Sequence, residues 1–121
     1  MAWLVHEGTV LANLDRADSL RLRSRGLLGR ESYDGALLLE RTRSVHTVGM
    51  RFPIDVAFCD KDLRIVRIVT LPARRVTRPA WRARCAIEVE AGRFAHWNVK
   101  VGDQLEIKGE VDDIAVGVPD E

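Results

Sequence analysis

Two apolar runs, IDVAFCD (54–60) and LRIVRIVTL (63–71), flank a Lys61-Asp62 pair. The first alternates, with Ile54, Val56 and Phe58 on one side and Asp55, Ala57 and Cys59 on the other. The second is apolar on both sides except at Arg64 and Arg67. Runs separated by so short a turn pair as an antiparallel hairpin. A strand that is apolar on both sides does not suit a sheet with one face in water. It belongs in a closed or double-layered sheet, and this hairpin therefore sets the fold class.

The rest of the chain agrees with that reading. WLVHEGTVLANL predicts two short strands around a tight Glu7-Gly8 turn. GALLLE (35–40) is a short apolar strand. ARCAIEVEAG (83–92) alternates again, with Cys85, Ile87 and Val89 opposite Ala86, Glu88 and Glu90. RFAHWNV is a turn or a single helical turn, and a last strand runs through Leu105 and Ile107 after Gly102-Asp103. One stretch changes period. In LDRADSLRLRSRGLLGR, Leu14, Ala17 and Leu20 fall at helical spacing, Asn13 or Asp15 can cap the start, and Gly26 can end it. The expected fold is mainly β (α+β): a small antiparallel β-barrel or sandwich of about seven strands, with one short N-terminal helix across an open end. Residues 11–108 are expected to form this domain, with 1–10 adding an edge strand and 109–121 a loose acidic tail.

A chain of 121 residues with 46% apolar residues is one domain with one real core. The 19 basic and 18 acidic side chains sum to +1, so no global field draws the molecule to nucleic acid or an anionic membrane. Locally the balance fails, since 74–84 is rich in arginine. MAWLVHEGTVLANL lacks a signal peptide's basic start, and no apolar run approaches the roughly 18 to 20 residues of a membrane span. The expectation is a soluble, cytoplasmic protein. Cys59 and Cys85 both sit in apolar strands and are expected as buried, reduced thiols.

The densest stretch is VHTVGMRFPIDVAFCD (45–60). Taken with RSRGLLGR and GALLLE before it, and AIEVEAG and VGDQLEI after it, this block resembles the DUF192 family over roughly residues 11–108. The resemblance implies a compact β-rich domain with a small helix. It implies no activity, because the family has no established one.

His46 and Asp55 are the polar residues of that block that matter most. The neutral imidazole of His46 can bind a metal, act as a base or donate to a backbone carbonyl. Local spacing supplies only Met50 and Asp55 as further ligands, an incomplete set for copper, zinc or iron, so no metal or cofactor is expected. Asp55 points to the side of Ala57 and Cys59, which reads as buried. An ionised carboxylate there costs several kcal/mol unless it is paired or hydrogen-bonded. The expected relief is the upstream turn: the Thr47 hydroxyl, N–H groups between Gly49 and Phe52, or an arginine such as Arg30. Glu88 has the same character on its own strand, and an ion pair with Arg23, Arg25 or Arg30 would hold it.

The leading functional expectation is a non-catalytic module that binds a small ligand or a protein partner at the 45–55 loop. His46 and Thr47 would supply polar contacts, Met50 and Phe52 an adaptable apolar wall, and Asp55 with Glu88 the acidic floor. The runner-up is a small hydrolase using His46 with Asp55 or Glu88. No G-x-S-x-G elbow or phosphate loop is present to support other catalysis. A third reading is a weak single-strand nucleic-acid binder that uses Arg74, Arg75, Arg78, Arg82, Arg84 and Trp81.

Overall fold

The computed structural model describes residues 2–17, 35–45, 52–109 and 112–113. The strands are β1 (Ala2–His6), β2 (Thr9–Ala17), β3 (Ala36–Glu40), β4 (Ile54–Cys59), β5 (Ile65–Leu71), β6 (Cys85–Glu90), β7 (Glu106–Gly109) and the two-residue β8 (Asp112–Asp113). A four-residue helix, α1 (Arg93–His96), follows β6. The strands form one sheet in the order β5-β4-β6-β3-β2-β1-β7, and β8 pairs with β2.

Alternation explains why each of these segments is a strand. The β1–β2 hairpin turns at Glu7 (φ 51°) and Gly8 (φ 82°), two left-handed residues of the kind that match the strand twist in a two-residue turn. The β4–β5 hairpin forms as expected, with Asp55 opposite Thr70 and Ala57 opposite Ile68. A bulge between Phe58 and Cys59 tightens its turn end. Asp60 closes that turn by accepting from the N–H groups of Asp62 (2.9 Å) and Arg64 (3.0 Å).

Both faces of the sheet are buried. One cluster gathers Leu4, Leu14, Leu38, Ala57, Cys59, Ile65, Ile87, Val89 and Phe94. The other gathers Leu37, Leu39, Val45, Phe52, Ile54, Val56, Phe58 and Ala86. Each fully buried Leu, Ile or Phe contributes about 1.5–3 kcal/mol. Because successive residues of β3, β4 and β6 feed opposite clusters, these strands are apolar on both faces except at Glu40, Asp55, Glu88 and Glu90.

Three expectations change. The sheet is mixed rather than antiparallel, because β3 and β8 each run parallel to β2. Parallel neighbours cannot be joined by a tight hairpin turn. The predicted helix does not begin at Leu14: Leu14, Asp15, Arg16 and Ala17 are in β2, where pairing with β1 and β3 overrides their helical spacing. The remainder of that predicted helix lies outside the described residues. Finally, the sheet is open and is not a barrel. Ahead of the two edge strands, Arg64 and Gln104 form an isolated bridge, with Leu105 N–H donating to the Leu63 carbonyl at 2.9 Å. Beyond it β5 follows β4 and β7 follows β1, so no ladder closes the ring. Of the expected tail, Gly109 ends β7 and Asp112–Asp113 pair with β2, and the rest lies outside the described residues.

Candidate functional site

Asp55 is buried, at 5% exposure, on the face it was expected to occupy. Its partners are different from those expected. Thr70 Oγ1 donates to Asp55 Oδ1 at 2.6 Å, and Gly92 N–H donates to Asp55 Oδ2 at 2.9 Å. The carboxylate thus ties β4 to β5 and to the start of α1. Gly92 can present its N–H there because it takes φ 94°, which a side chain would disfavour. Ala91 N–H donates to the Pro53 carbonyl beside it at 3.2 Å, so the chain entering β4 and the chain leaving β6 are held together twice.

Glu88 is also buried, at 1% exposure, but it faces the other way. It sits opposite Val56 on β4 and Leu37 on β3, both of the second cluster. Asp55 sits opposite Val89, of the first cluster. A sheet therefore separates the two carboxylates, and they share no cavity. Phe52 is buried, at 5% exposure, in the second cluster. His46, Thr47 and Met50 lie outside the described residues, as do Arg23, Arg25 and Arg30.

A cationic cleft lies elsewhere. Arg41, Arg43, Lys61, Ala83 and Arg84 surround about 480 Å³ of open space. Four of these five residues are cationic, and none is acidic. Among the described residues no carboxylate lies within ion-pair distance of the four. Their backbone is well anchored. The segment after β3 runs beside 77–83: Ala80 N–H donates to the Arg43 carbonyl (2.8 Å), Thr77 N–H to the Val45 carbonyl (2.9 Å) and Ser44 Oγ to the Thr77 carbonyl (3.1 Å). Arg43 Nε donates to the Ala83 carbonyl at 3.3 Å, and Arg84 N–H to the Cys59 carbonyl at 2.7 Å. Arg41 leaves β3 in the left-handed region, at φ 56°, a conformation that costs an arginine about 1–2 kcal/mol.

A second cleft of about 270 Å³ adjoins the first through Arg41, Lys61 and Arg84. Cys85 lines it, and Cys59 lies directly opposite Cys85 in the β4–β6 register. The facing Cys85 thiol and burial push Cys59 up, while the facing Cys59 thiol holds Cys85 down against burial and the Glu40 and Asp60 carboxylates.

Comparison with known proteins places this architecture. The model of the DUF192 family, described as an uncharacterized ACR, matches residues 3–107. The chain belongs to the DUF192 family. No curated protein matches it. Among solved structures, a protein of unknown function from Novosphingobium aromaticivorans DSM 12444 is similar, with a TM-score of 0.70 at 16% identity, covering 87% of this chain and 82% of that one. A protein from Sinorhizobium meliloti 1021, provisionally described as a transcription regulator, also has a TM-score of 0.70, at 22% identity, covering 87% of this chain and 90% of that one. At these identities the likeness is one of fold.

For this DUF192 chain the cleft was missed in the sequence because its cations come from three separated places: 41–43, 61 and 84. Arg41 and Arg43 belong to ERTRS, which has no motif, and the 74–84 arginines group in sequence with Trp81 rather than with 41–43 and 61. Trp81, at 72% exposure, sits in a groove of about 290 Å³ with Val66, Arg67, Pro79, Ala80 and Arg82. Arg67 is fixed there over the Phe58 ring, 5.1 Å from its centroid, and donates to the Arg78 carbonyl. Among the described residues no three His, Cys, Asp or Glu side chains gather as metal ligands, and no helix is long and apolar enough to cross a membrane.

Proposed function

We propose that this DUF192 protein is a non-catalytic binding module for small anionic ligands of the phosphate or carboxylate class, held between Arg41, Arg43, Lys61 and Arg84. One observation carries this reading: four cations line one cleft without a carboxylate among them. Like charges so placed repel each other, and an anion that bridges them relieves that repulsion while accepting charge-assisted hydrogen bonds. The 45–55 loop remains part of the picture, since it begins at Val45, two residues beyond Arg43. The paired-carboxylate hydrolase has no support, because Asp55 and Glu88 lie on opposite faces of the sheet and both Asp55 oxygens are engaged in structural bonds.

The test is titration with inorganic triphosphate at low salt, read by calorimetry and by thermal shift. Binding is expected, with Lys61→Ala and Arg84→Ala each weakening it about tenfold or more. No binding to the folded protein, or binding that both variants leave intact, would end the proposal. Loss on His46→Ala alone would move the site into the loop.

A second reading rests on Trp81. An exposed indole beside Arg67 and Arg82 is a stacking platform for a nucleobase. The provisional description of the Sinorhizobium structure is in keeping with it. It predicts that oligothymidylate binds, that Trp81→Ala weakens the complex about tenfold, and that affinity falls steeply with salt. Affinity unchanged between low and moderate salt would reject it.

A further inference from the structure

Cys59 and Cys85 take no part in the anion cleft's binding chemistry, yet their placement is specific. They are direct cross-strand partners in the β4–β6 ladder, and both side chains fall on the first core face. Directly opposed residues of an antiparallel pair have Cα atoms about 4.5–5.5 Å apart. A disulfide needs about 4.4–6.8 Å, so this register puts the pair within a disulfide's reach. The two sulfurs are not equivalent. Cys59 is completely buried, with its thiol 3.8 Å from the Ala57 carbonyl. Cys85 keeps 8% exposure and lines the smaller cleft with Lys61 and Arg84. Of the two, Cys85 is the one that lines the cleft, and Cys59 lies across the strand pair from it.

We propose that Cys59 and Cys85 are a redox-active cross-strand dithiol, in which Cys85, at the cleft, reacts with a hydroperoxide and Cys59, behind it, closes the disulfide. In the first step the Cys85 thiolate attacks the terminal peroxide oxygen. An S–O bond forms, the O–O bond breaks, and the departing alkoxide or hydroxide takes up a proton, leaving Cys85 as the sulfenic acid. In the second step the Cys59 sulfur attacks the Cys85 sulfur. The S–S bond forms, the S–O bond breaks, and the hydroxide released leaves as water with the Cys59 proton. Two thiols are oxidised by two electrons in total, and one peroxide is reduced to an alcohol, or to water when it is hydrogen peroxide. A small-molecule dithiol returns the pair to its starting state by two thiol–disulfide exchanges. The influence of each thiol on the other supports this order, because it pushes Cys59 up and holds Cys85 down.

The experiment uses the full chain, reduced and then treated with hydrogen peroxide. Intact mass is expected to fall by two hydrogens, with both thiols lost from titration under denaturing conditions and the protein still running as a monomer without reductant. Cys59→Ala should leave a Cys85 sulfenic acid that dimedone traps, and Cys85→Ala should leave Cys59 unreacted. The wild-type result needs no variant, so a misfolded alanine variant leaves the proposal open to refutation. Persistence of both thiols, a disulfide between chains, or oxidation of wild-type Cys85 to the sulfinic acid would each overturn it. None of these outcomes bears on triphosphate binding, which is measured on the reduced protein.

Discussion

Asp55 illustrates what one side chain can reveal before any coordinates exist. Alternation along IDVAFCD placed it on a buried face, and buried it is. Its need for hydrogen bonds followed from electrostatics alone. The donors did not follow, because Thr70 and Gly92 reach it through strand register and a left-handed turn, neither of which is local to residue 55. Asp55→Ala leaves the Thr70 hydroxyl and Gly92 N–H unpartnered and should cost about 2–3 kcal/mol, while Thr70→Val costs about 1 kcal/mol. Urea denaturation checks this, and equal losses would deny the carboxylate its double role. Asp60 provides a pH-dependent counterpart. The N–H of Arg64, and then that of Asp62, hold its carboxyl below the ordinary 3.8. A carboxylate with a lowered folded pKa stabilises the protein above its unfolded value, and the contribution disappears as pH falls through the folded one. Asp60→Ala should therefore cost about 1 kcal/mol or less at neutral pH, given solvent screening. The gap between wild type and variant should close in strongly acidic buffer, and a gap that widens there would be contrary.

Among the elements, those with both a period-two pattern and a local turn were legible. The β1–β2 and β4–β5 hairpins are of this kind, since a few residues determine both the strands and their partner. Gly8 makes the first turn testable. It holds φ 82°, and a methyl group built on it would meet no atom within 4 Å. Gly8→Ala should thus cost about 1–2 kcal/mol through backbone conformation alone. A thermal midpoint unchanged by the substitution would mean that the turn adapts. Two elements were not legible from their own residues. Leu14 and Ala17 fit a helix stripe as well as a strand, and only β1 and β3 on either side decide for the strand. The parallel pairing of β2 with β3 depends on how the intervening chain crosses back, which no local pattern records.

For the whole molecule, the apolar character of LRIVRIVTL on both sides points to a closed or a double-layered sheet, and the structure excludes the closed one. Its real cause is a sheet with a hydrophobic cluster on each face. The antiparallel pairing of β6 with both β3 and β4 brings the β3 exit, the β4–β5 turn and the β6 entrance to one end and so assembles the cationic cleft. Because its four cations repel one another, Arg84→Glu should raise the thermal midpoint of the free protein at low salt and remove the further rise given by triphosphate. An unchanged midpoint together with a retained ligand effect would count against the cleft. The sequence by itself determined the strands, the two tight turns, the buried carboxylate and the family resemblance, because each depends on neighbours within a few residues. The tertiary structure alone decided that the sheet is open and mixed, that Asp55 and Glu88 face opposite ways, and that Arg41, Lys61 and Arg84 meet. Those outcomes depend on pairing between distant strands, and a change of register or of strand direction would rearrange them without altering any local pattern.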